Sequence, residues 1–198
     1  MKINSSNFAY NPNFQKKLVA QGSVLKSGKP EEVFFYLLDK VDDEKDLIKA
    51  SKKELWKDDY YLKNSLIKFW HFLQEELDIF TMENKKGDII CYGVIDNDRK
   101  KEARVKFIET APSLSSYNRG KREFKYVGET MLSYLALQSG KKDFVINHVA
   151  DRVPTQNFYK KCGFKPYKTH DAIMSSAQVK KFIKNNEVHT GQKIKIVG

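Results

Sequence analysis

The sequence predicts an α+β fold, an α/β sandwich whose mixed, mostly antiparallel central sheet is flanked by helices. Three observations lead there. Ile79–Glu83, Asp88–Ile95 and Ala103–Thr110 read as strands separated by the turn signals Lys86-Gly87 and Asn97-Asp98, which gives an antiparallel meander. Two strand–helix crossovers follow it. Apolar residues before the meander recur at helical spacing. Helices first, then a meander, then crossovers form one mixed unit.

The elements follow in order. Residues 1–29 are rich in Asn, Ser, Lys and Gly with weak periodicity, and Gly28-Lys29-Pro30 reads as a break. A helix is expected from Pro30 or Glu31 to Val41, with Glu31 and Glu32 in its first turn where the dipole favours acids. Asp46–Trp56 is expected as a short helix. Asp58 or Asp59 would cap a longer one through Leu77, with Tyr61, Leu62, Leu66, Phe69, Trp70 and Leu73 at helical spacing. In Ala103–Thr110, Val105 and Phe107 alternate with Arg104 and Lys106, as in a strand with one wet face. Pro112–Lys121 is a polar loop. Val127–Ser139 is a helix stopped by Gly140, and Phe144–Val149 is a strand. Pro154–Cys162 is a short helix with proline near its start and Gly163 after its end. Lys165–Met174 holds a strand, and Ser175 or Ser176 caps a last helix through Asn185. Residues 187–198 form a tail or edge strand (Ile194, Ile196, Val197) whose end, from Lys193 on, could complete a partner's sheet in a homodimer. No internal repeat is visible.

Composition narrows the class. At 198 residues, 40% hydrophobic and 13% aromatic, the chain suits one globular domain with a real core. Nothing approaches the roughly 18 to 20 apolar residues of a membrane span, and Met1–Asn13 lacks a signal-peptide core. Cys91 and Cys162 lack the spacing of a zinc site or disulfide framework, so no metal is expected and a reducing cytoplasmic location fits. Charge divides unevenly. Residues 1–99 balance to −1 and residues 100–198 to +12. A solvated lysine-rich surface explains the basic half, and so does an anionic partner.

Two motifs carry chemistry. Lys125-Tyr126-Val127-Gly128-Glu129-Thr130 reads as a loop opening an amphipathic helix. A helix N-terminus offers amides and a favourable dipole to phosphates, and a glycine lets the backbone approach closely. The alternative is a glycine that merely starts a packed helix. Thirty residues on, Phe158-Tyr159-Lys160-Lys161-Cys162-Gly163-Phe164 reads as a short tyrosine-bearing helix ended by glycine. Loop, helix, strand, helix and Gly-Phe, in that order, resemble the acetyl-CoA-binding half of the GNAT superfamily of N-acetyltransferases, over roughly residues 79–186.

The resemblance implies a GNAT-like fold with one domain over 1–198. Residues 1–78 would be a helical, acceptor-side part, 79–186 the acetyl-CoA-binding core and 187–198 a tail. Gly128 matches the central glycine of the family's Arg/Gln-x-x-Gly-x-Gly/Ala, while Lys125 and Thr130 depart from it. The amides of Val127, Gly128, Glu129 and Thr130 would hold the pyrophosphate, with Lys125 and Tyr126 beside them. Phe158, Tyr159, Gly163 and Phe164 match the second family motif, whereas Arg152 and Thr155 stand where it has asparagine and alanine. Tyr159 would protonate the departing thiolate, a task suited to a phenol, which ordinarily titrates near pH ~10; otherwise it is a core residue with a satisfied hydroxyl. The strand before the loop would bulge and splay, leaving pantetheine to bond the backbone of Phe107, Ile108, Glu109 and Thr110 opposite Asn147, His148 and Val149. Glu109 and His148 are candidate bases for an amine that is protonated at pH 7; both are equally ordinary as a solvated and a structural residue. Arg122, in a loop with Arg119 and Lys121, would grip the 3′-phosphate, touch RNA, or lie on a mobile surface.

The implied activity is acetyl transfer from acetyl-CoA, as co-substrate, to a primary amine by direct attack in a ternary complex, with neither cysteine as nucleophile. The acceptor, a small molecule or a protein, is not named by the sequence. A second reading is an RNA- or ribosome-associated protein of this fold, acting on aminoacyl-tRNA or a basic protein, with nucleic acid not the favoured partner. A third is a non-catalytic interaction module.

Overall fold

The computed structural model describes residues 16–38, 43–56, 77–96, 101–114, 123–140, 142–147, 149 and 152–197. The chain opens with an antiparallel pair, β1 (Lys17–Lys26) and β2 (Lys29–Leu37), then α1 (Glu44–Ser51) and a 3-10 turn at Glu54–Trp56. The meander follows as β3 (Asp78–Asn84), β4 (Ile89–Asp96) and β5 (Glu102–Thr110). Next come the short β6 (Phe124–Lys125), α2 (Val127–Gln138), β7 (Asp143–Ile146), α3 (Val153–Cys162), the pair β8 (Lys165–Tyr167) and β9 (Asp171–Met174), α4 (Ser176–Thr190) and β10 (Lys195–Ile196).

All ten strands join one sheet of order β10-β1-β2-β3-β4-β5-β7-β9-β8, with β6 added to β1. Among the described residues only β5 and β7 pair in parallel, as a strand–helix–strand crossover requires. This is the mixed, mostly antiparallel sandwich expected. Helix α2 lies on one face, where an added Cβ on Gly93 would come 2.8 Å from Leu135 Cδ1, so the glycine lets helix and strand approach closely. Tyr134 of α2 stacks on Phe35 at 4.4 Å and meets Phe80 edge-on. The opposite face is covered in part by Leu47 and Trp56, both fully buried. The Trp56 indole lies 5.7 Å from Tyr92 and donates to the Ile89 carbonyl at 2.7 Å. Among the described residues no helix is long and apolar enough to cross a membrane.

The meander and the two crossovers fall where the sequence put them. The expected helix over Pro30–Val41 is instead strand β2 through Leu37. Ser27 and Gly28 both have positive φ, 51° and 83°, and form a two-residue hairpin turn where the sequence suggested a break. Val33, Phe34 and Phe35 are buried consecutively because β2 lies inside the sheet between β1 and β3, so its run does not alternate. The weakly periodic N-terminal stretch likewise contains β1. Thus the part before residue 78 contributes two strands to the sheet, not only helices. The single strand expected over Lys165–Met174 is the hairpin β8–β9, the strand expected to Val149 ends at Ile146, and α4 runs on to Thr190. The helix expected over Asp58–Leu77 lies outside the described residues.

One surface pair ties the helical segment to the meander. Asn84 turns the β3–β4 hairpin, its side-chain oxygen accepting from the Lys86 and Asp88 amides. Asp88 in turn accepts from Lys53 at 2.5 Å. Burial alone would raise the Asp88 carboxyl, but the hydrogen bonds from Lys53 and Asn84 outweigh it and hold the group below the ordinary carboxylate value. The folded protein therefore binds that proton less tightly than the unfolded chain. The resulting stabilisation is present above the ordinary carboxylate value and is lost as pH falls through the folded one. Lys53→Met is expected to lower the melting temperature at about pH 7, and the deficit to shrink toward about pH 3, as read by thermal denaturation across that range.

Candidate functional site

The site begins with a strand that loses its neighbour. The parallel pairing of β5 with β7 runs from Glu102–Asp143 to Val105–Ile146 and closes with the Asn147 amide donating to the Val105 carbonyl at 3.0 Å. Strand β5 continues to Thr110, still paired with β4. Its register shifts between Val94–Phe107 and Ile95–Val105, so Lys106 is an extra, bulged residue. Beyond the bulge the β7 side of β5 has no paired strand among the described residues, and the two strands part. Thr110 faces α2, its Oγ1 lying 3.7 Å from where a Cβ on Gly128 would be. By alternation Ile108 shares that face, while Phe107 and Glu109 face the other way. Phe107 is exposed there.

The N-terminus of α2 abuts this gap. Strand β6 pairs Phe124 and Lys125 with Lys26 and Leu25 of β1, and the Ser27 amide donates to the Glu123 carbonyl at 2.9 Å. The chain then turns sharply at Tyr126, whose φ of 64° is left-handed and strained for a residue with a side chain. The Tyr126 ring stacks on His189 of α4 at 5.0 Å and 12°, a contact that holds the turn. Tyr126 supplies no side-chain cap. The first helical bond runs from the Thr130 amide to the Tyr126 carbonyl at 2.9 Å. The amides of Val127, Gly128 and Glu129 precede it, and they are the donors a helix N-terminus offers to an anion. Of the four amides expected to act together, that of Thr130 is thus committed within the helix.

Gly128 and Thr130 each have a packing reason. An added Cβ at residue 128 would meet the Phe158 ring at 3.1 Å. Glycine therefore lets α3 close on the first turn of α2. Thr130, the departure from the family pattern, is fully buried. Its hydroxyl donates to the Ser23 carbonyl at 3.3 Å and accepts from Asn186 Nδ2 at 3.3 Å. The Ser23 hydroxyl donates to the Thr190 carbonyl at 3.1 Å, and the Thr190 hydroxyl to the Asn186 carbonyl at 2.9 Å. The threonine thus fastens α2 to β1 and to the last turns of α4. Nothing in sequence spacing pairs residue 130 with 23 or 186, so this brace was not foreseen.

Helix α3 presents the tyrosine. After Cys162, Gly163 takes φ 100°, its amide donating to the Lys160 carbonyl and that of Phe164 to the Tyr159 carbonyl, each at 3.0 Å. This double closure demands glycine at that point and brings the next apolar residue back on the helix. Phe164 accordingly meets the Tyr159 ring edge-on at 5.6 Å, and Phe158 meets it from the other side at 5.1 Å. The Gly-Phe of the motif is therefore the clamp that fixes a buried Tyr159. Through Phe158 the same helix reaches Gly128.

The structure brings Thr110 of β5 and Phe158 of α3 together at Gly128 of the helix start; Ile108 shares the face of Thr110, Glu109 lies on the other face of β5, and Tyr159 adjoins Phe158. His148 and Arg122 lie outside the described residues. Cys91 is buried with its sulfur 3.8 Å from Thr110 Oγ1. Burial, with the charges of Glu109 and Glu129 behind it, pushes its thiol well above the usual range. Burial and Glu129 do the same to Cys162. Both thiols are held protonated at neutral pH, which suits neither to nucleophilic attack.

Comparison with solved structures places this architecture. A protein of Exiguobacterium sp. 255-15 named as an acetyltransferase superposes with a TM-score of 0.51 at 12% identity, over 75% of this chain and 97% of that one. AtaTR, solved bound with AcCoA, gives 0.51 at 14% identity over 75% and 96%. A GNAT-family protein of Chromobacterium violaceum ATCC 12472, also named as an acetyltransferase, gives 0.53 at 10% identity over 74% and 88%. At these identities the shared property is the fold, the GNAT α/β fold. By sequence, no family model and no curated protein matches.

Thr130→Val keeps the shape and removes the hydroxyl, leaving buried Asn186 with one fewer partner. It is expected to cost about 1–3 kcal/mol in a denaturant titration, whereas Thr130→Ser, which keeps the hydroxyl, should cost clearly less.

Proposed function

We propose that the protein is an acetyl-CoA-dependent N-acetyltransferase that passes the acetyl group directly to a primary amine. One juxtaposition carries the reading. An anion-suited helix start and the open edge of a bulged strand meet at Gly128 and Thr110, and the helix that carries the clamped Tyr159 packs on them through Phe158. The residues fit the ligand on chemical grounds. The amides before the first helical bond of α2 suit the pyrophosphate, and the bulged stretch of β5 offers backbone groups to pantetheine as an added strand would. Lys125 adds a cation beside the phosphates.

Acetyl-CoA supplies an acyl thioester, so no enzyme nucleophile is needed, consistent with both cysteines being held as thiols. In this mechanism Tyr159 gives a proton to the departing thiolate and Glu109, on the opposite face of β5, receives one from the amine. The acceptor enters on the Glu109 side. His148 is the other candidate base and Arg122 the candidate 3′-phosphate ligand, both carried from the sequence motifs. The exposed lysines of α3 and α4, including Lys160, Lys161, Lys180, Lys181 and Lys184, favour as a second reading an acceptor amine carried on RNA. RNA binding that falls steeply with added salt would support it.

Calorimetric titration with acetyl-CoA tests the main reading, and weaker binding of dephospho-CoA would report the 3′-phosphate contact. No binding would refute it. Gly128→Glu, which adds bulk against Phe158 and a negative charge at the helix start, is expected to abolish that binding in a folded protein. Tyr159→Phe is expected to reduce turnover by about 100-fold while changing acetyl-CoA affinity by less than about threefold, measured by thiol release and calorimetry. Undiminished turnover would remove Tyr159 as the acid.

A further inference from the structure

On the sheet face away from α2, the chain holds one of its own ammonium groups in a small cage. Phe35 and Phe80 meet Tyr134 of α2, so Tyr36 and Thr81, their neighbours in β2 and β3, point the other way. Register sets Tyr36, Thr81, Tyr92 and Glu109 in one row across β2, β3, β4 and β5. Glu83, two residues on from Thr81, shares that face and is 3% exposed. Lys16 reaches it from just before β1. The lysine arm passes over β2, with Nζ 4.6 Å from the centre of the Tyr36 ring, and pairs with the Glu83 carboxylate. Burial and the charge of Glu83 push the Tyr36 phenol above its ordinary value, so the carboxylate acts on Tyr36 as well as on Lys16. An aromatic face and a buried carboxylate are two groups that together recognise an ammonium.

The cage lies on the side from which the acceptor enters. Glu109, the proposed base, stands at the β5 end of the row. Strands β3 and β5 are two strand spacings apart, about 10 Å. Lys16 precedes Lys17–Leu37, the outermost pair of the β1–β2 ladder among the described residues, so its arm can swing away without breaking that ladder. We infer that Glu83 and Tyr36 form a second-cation subsite of the acceptor site, that the acceptor is an amine carrying another ammonium group about 10 Å from the one that reacts, and that Lys16 is the stand-in which this group displaces. The inference deepens the acetyl-CoA reading and rests on it. Taking the ammonium away from a buried carboxylate is costly. A second ammonium offsets that cost, whereas a neutral group does not, so the subsite selects for charge at the far end of the acceptor.

The test compares two probes of equal length: octamethylenediamine, with an ammonium at each end, and ω-aminooctanol, with one. Thiol release from acetyl-CoA is expected to favour the diamine by about tenfold in kcat/KM. Glu83→Gln is expected to reduce that preference to about twofold, the factor that two equivalent amines give by number alone. Lys16→Ala should widen it. Glu32→Gln, which removes a surface acid paired with Lys85 at 3.6 Å, should leave it unchanged and so excludes a general effect of charge. The inference is overturned by no preference in the wild type, by a preference that survives Glu83→Gln, falls equally in Glu32→Gln or fails to widen in Lys16→Ala, or by turnover of neither probe in protein that binds acetyl-CoA. A measurement on the unmodified protein guards against variants that do not fold. With CoA bound, so that nothing turns over, the diamine should shift the Lys16 side-chain NMR resonances and the amino alcohol should not; equal responses also overturn the inference. Wild-type protein that binds no acetyl-CoA defeats the acetyl-CoA reading itself, whereas binding without discrimination between the probes defeats only the second-cation subsite.

Discussion

The parting of β5 from β7 is the constraint on which the rest of this molecule depends. A continuous sheet would satisfy every backbone group along β5 and leave no room for a ligand. Here the pairing stops at Val105 and Ile146, and the bulge at Lys106 re-aims the strand just beyond. Each lip then needs support from its far side. For β5 this comes from β4, paired through Thr110. For β7 it comes from β9 and from the Arg104–Asp171–Asn147 network, which bridges the strands behind the opening. A buried ion pair is a poor source of stability in itself, because desolvation offsets its attraction. Holding two diverging strands in fixed relation is a role that suits it better.

The second wall of the site is built under strain. A left-handed Tyr126 opens α2 beside the gap, and a non-glycine residue in that conformation persists only where its surroundings enforce it. They do so from several directions. The β6–β1 pairing fixes the chain before it, His189 stacks on its ring, and Thr130, Asn186, Ser23 and Thr190 lock the following turn. The helix start is therefore held in place from several sides by the fold itself. Glycine at 128 and at 163 serves the same end by different means. The first permits contact between α2 and α3, and the second supplies the left-handed turn that closes α3 on Tyr159.

Sequence reading recovered what is local and periodic. The order of elements from 79 to 174 followed from a change of period, from paired turn residues and from glycines at helix ends. The Phe-Tyr-x-x-x-Gly-Phe spacing proved to have a physical origin in the closure at Gly163. What stayed hidden is non-local. The run Val33-Phe34-Phe35-Tyr36 is apolar on both sides because it crosses the middle of a sheet, and a short run without alternation does not distinguish helix from strand. Thr130 read as a flaw in the motif because its partners lie more than fifty residues away in both directions. The left-handed turn at Tyr126 has no sequence signature at all. It exists only once distant strands and helices are assembled.

The brace behind the helix start has a consequence for how the chain reaches its native state. Its members come from opposite ends of the sequence. Ser23 lies in the first strand, Thr130 in the middle, and Asn186, His189 and Thr190 in the last helix, with β10 then pairing onto β1. On a ribosome, the turn at Tyr126 is made long before the residues that hold it. Until the last helix has emerged, Tyr126 lacks its stacking partner and Thr130 lacks Asn186. The turn is then free to relax out of its left-handed state. Contacts of such long sequence separation form slowly. The first turn of α2 should be among the last parts of the molecule to order, although its sequence is complete well before the end of synthesis.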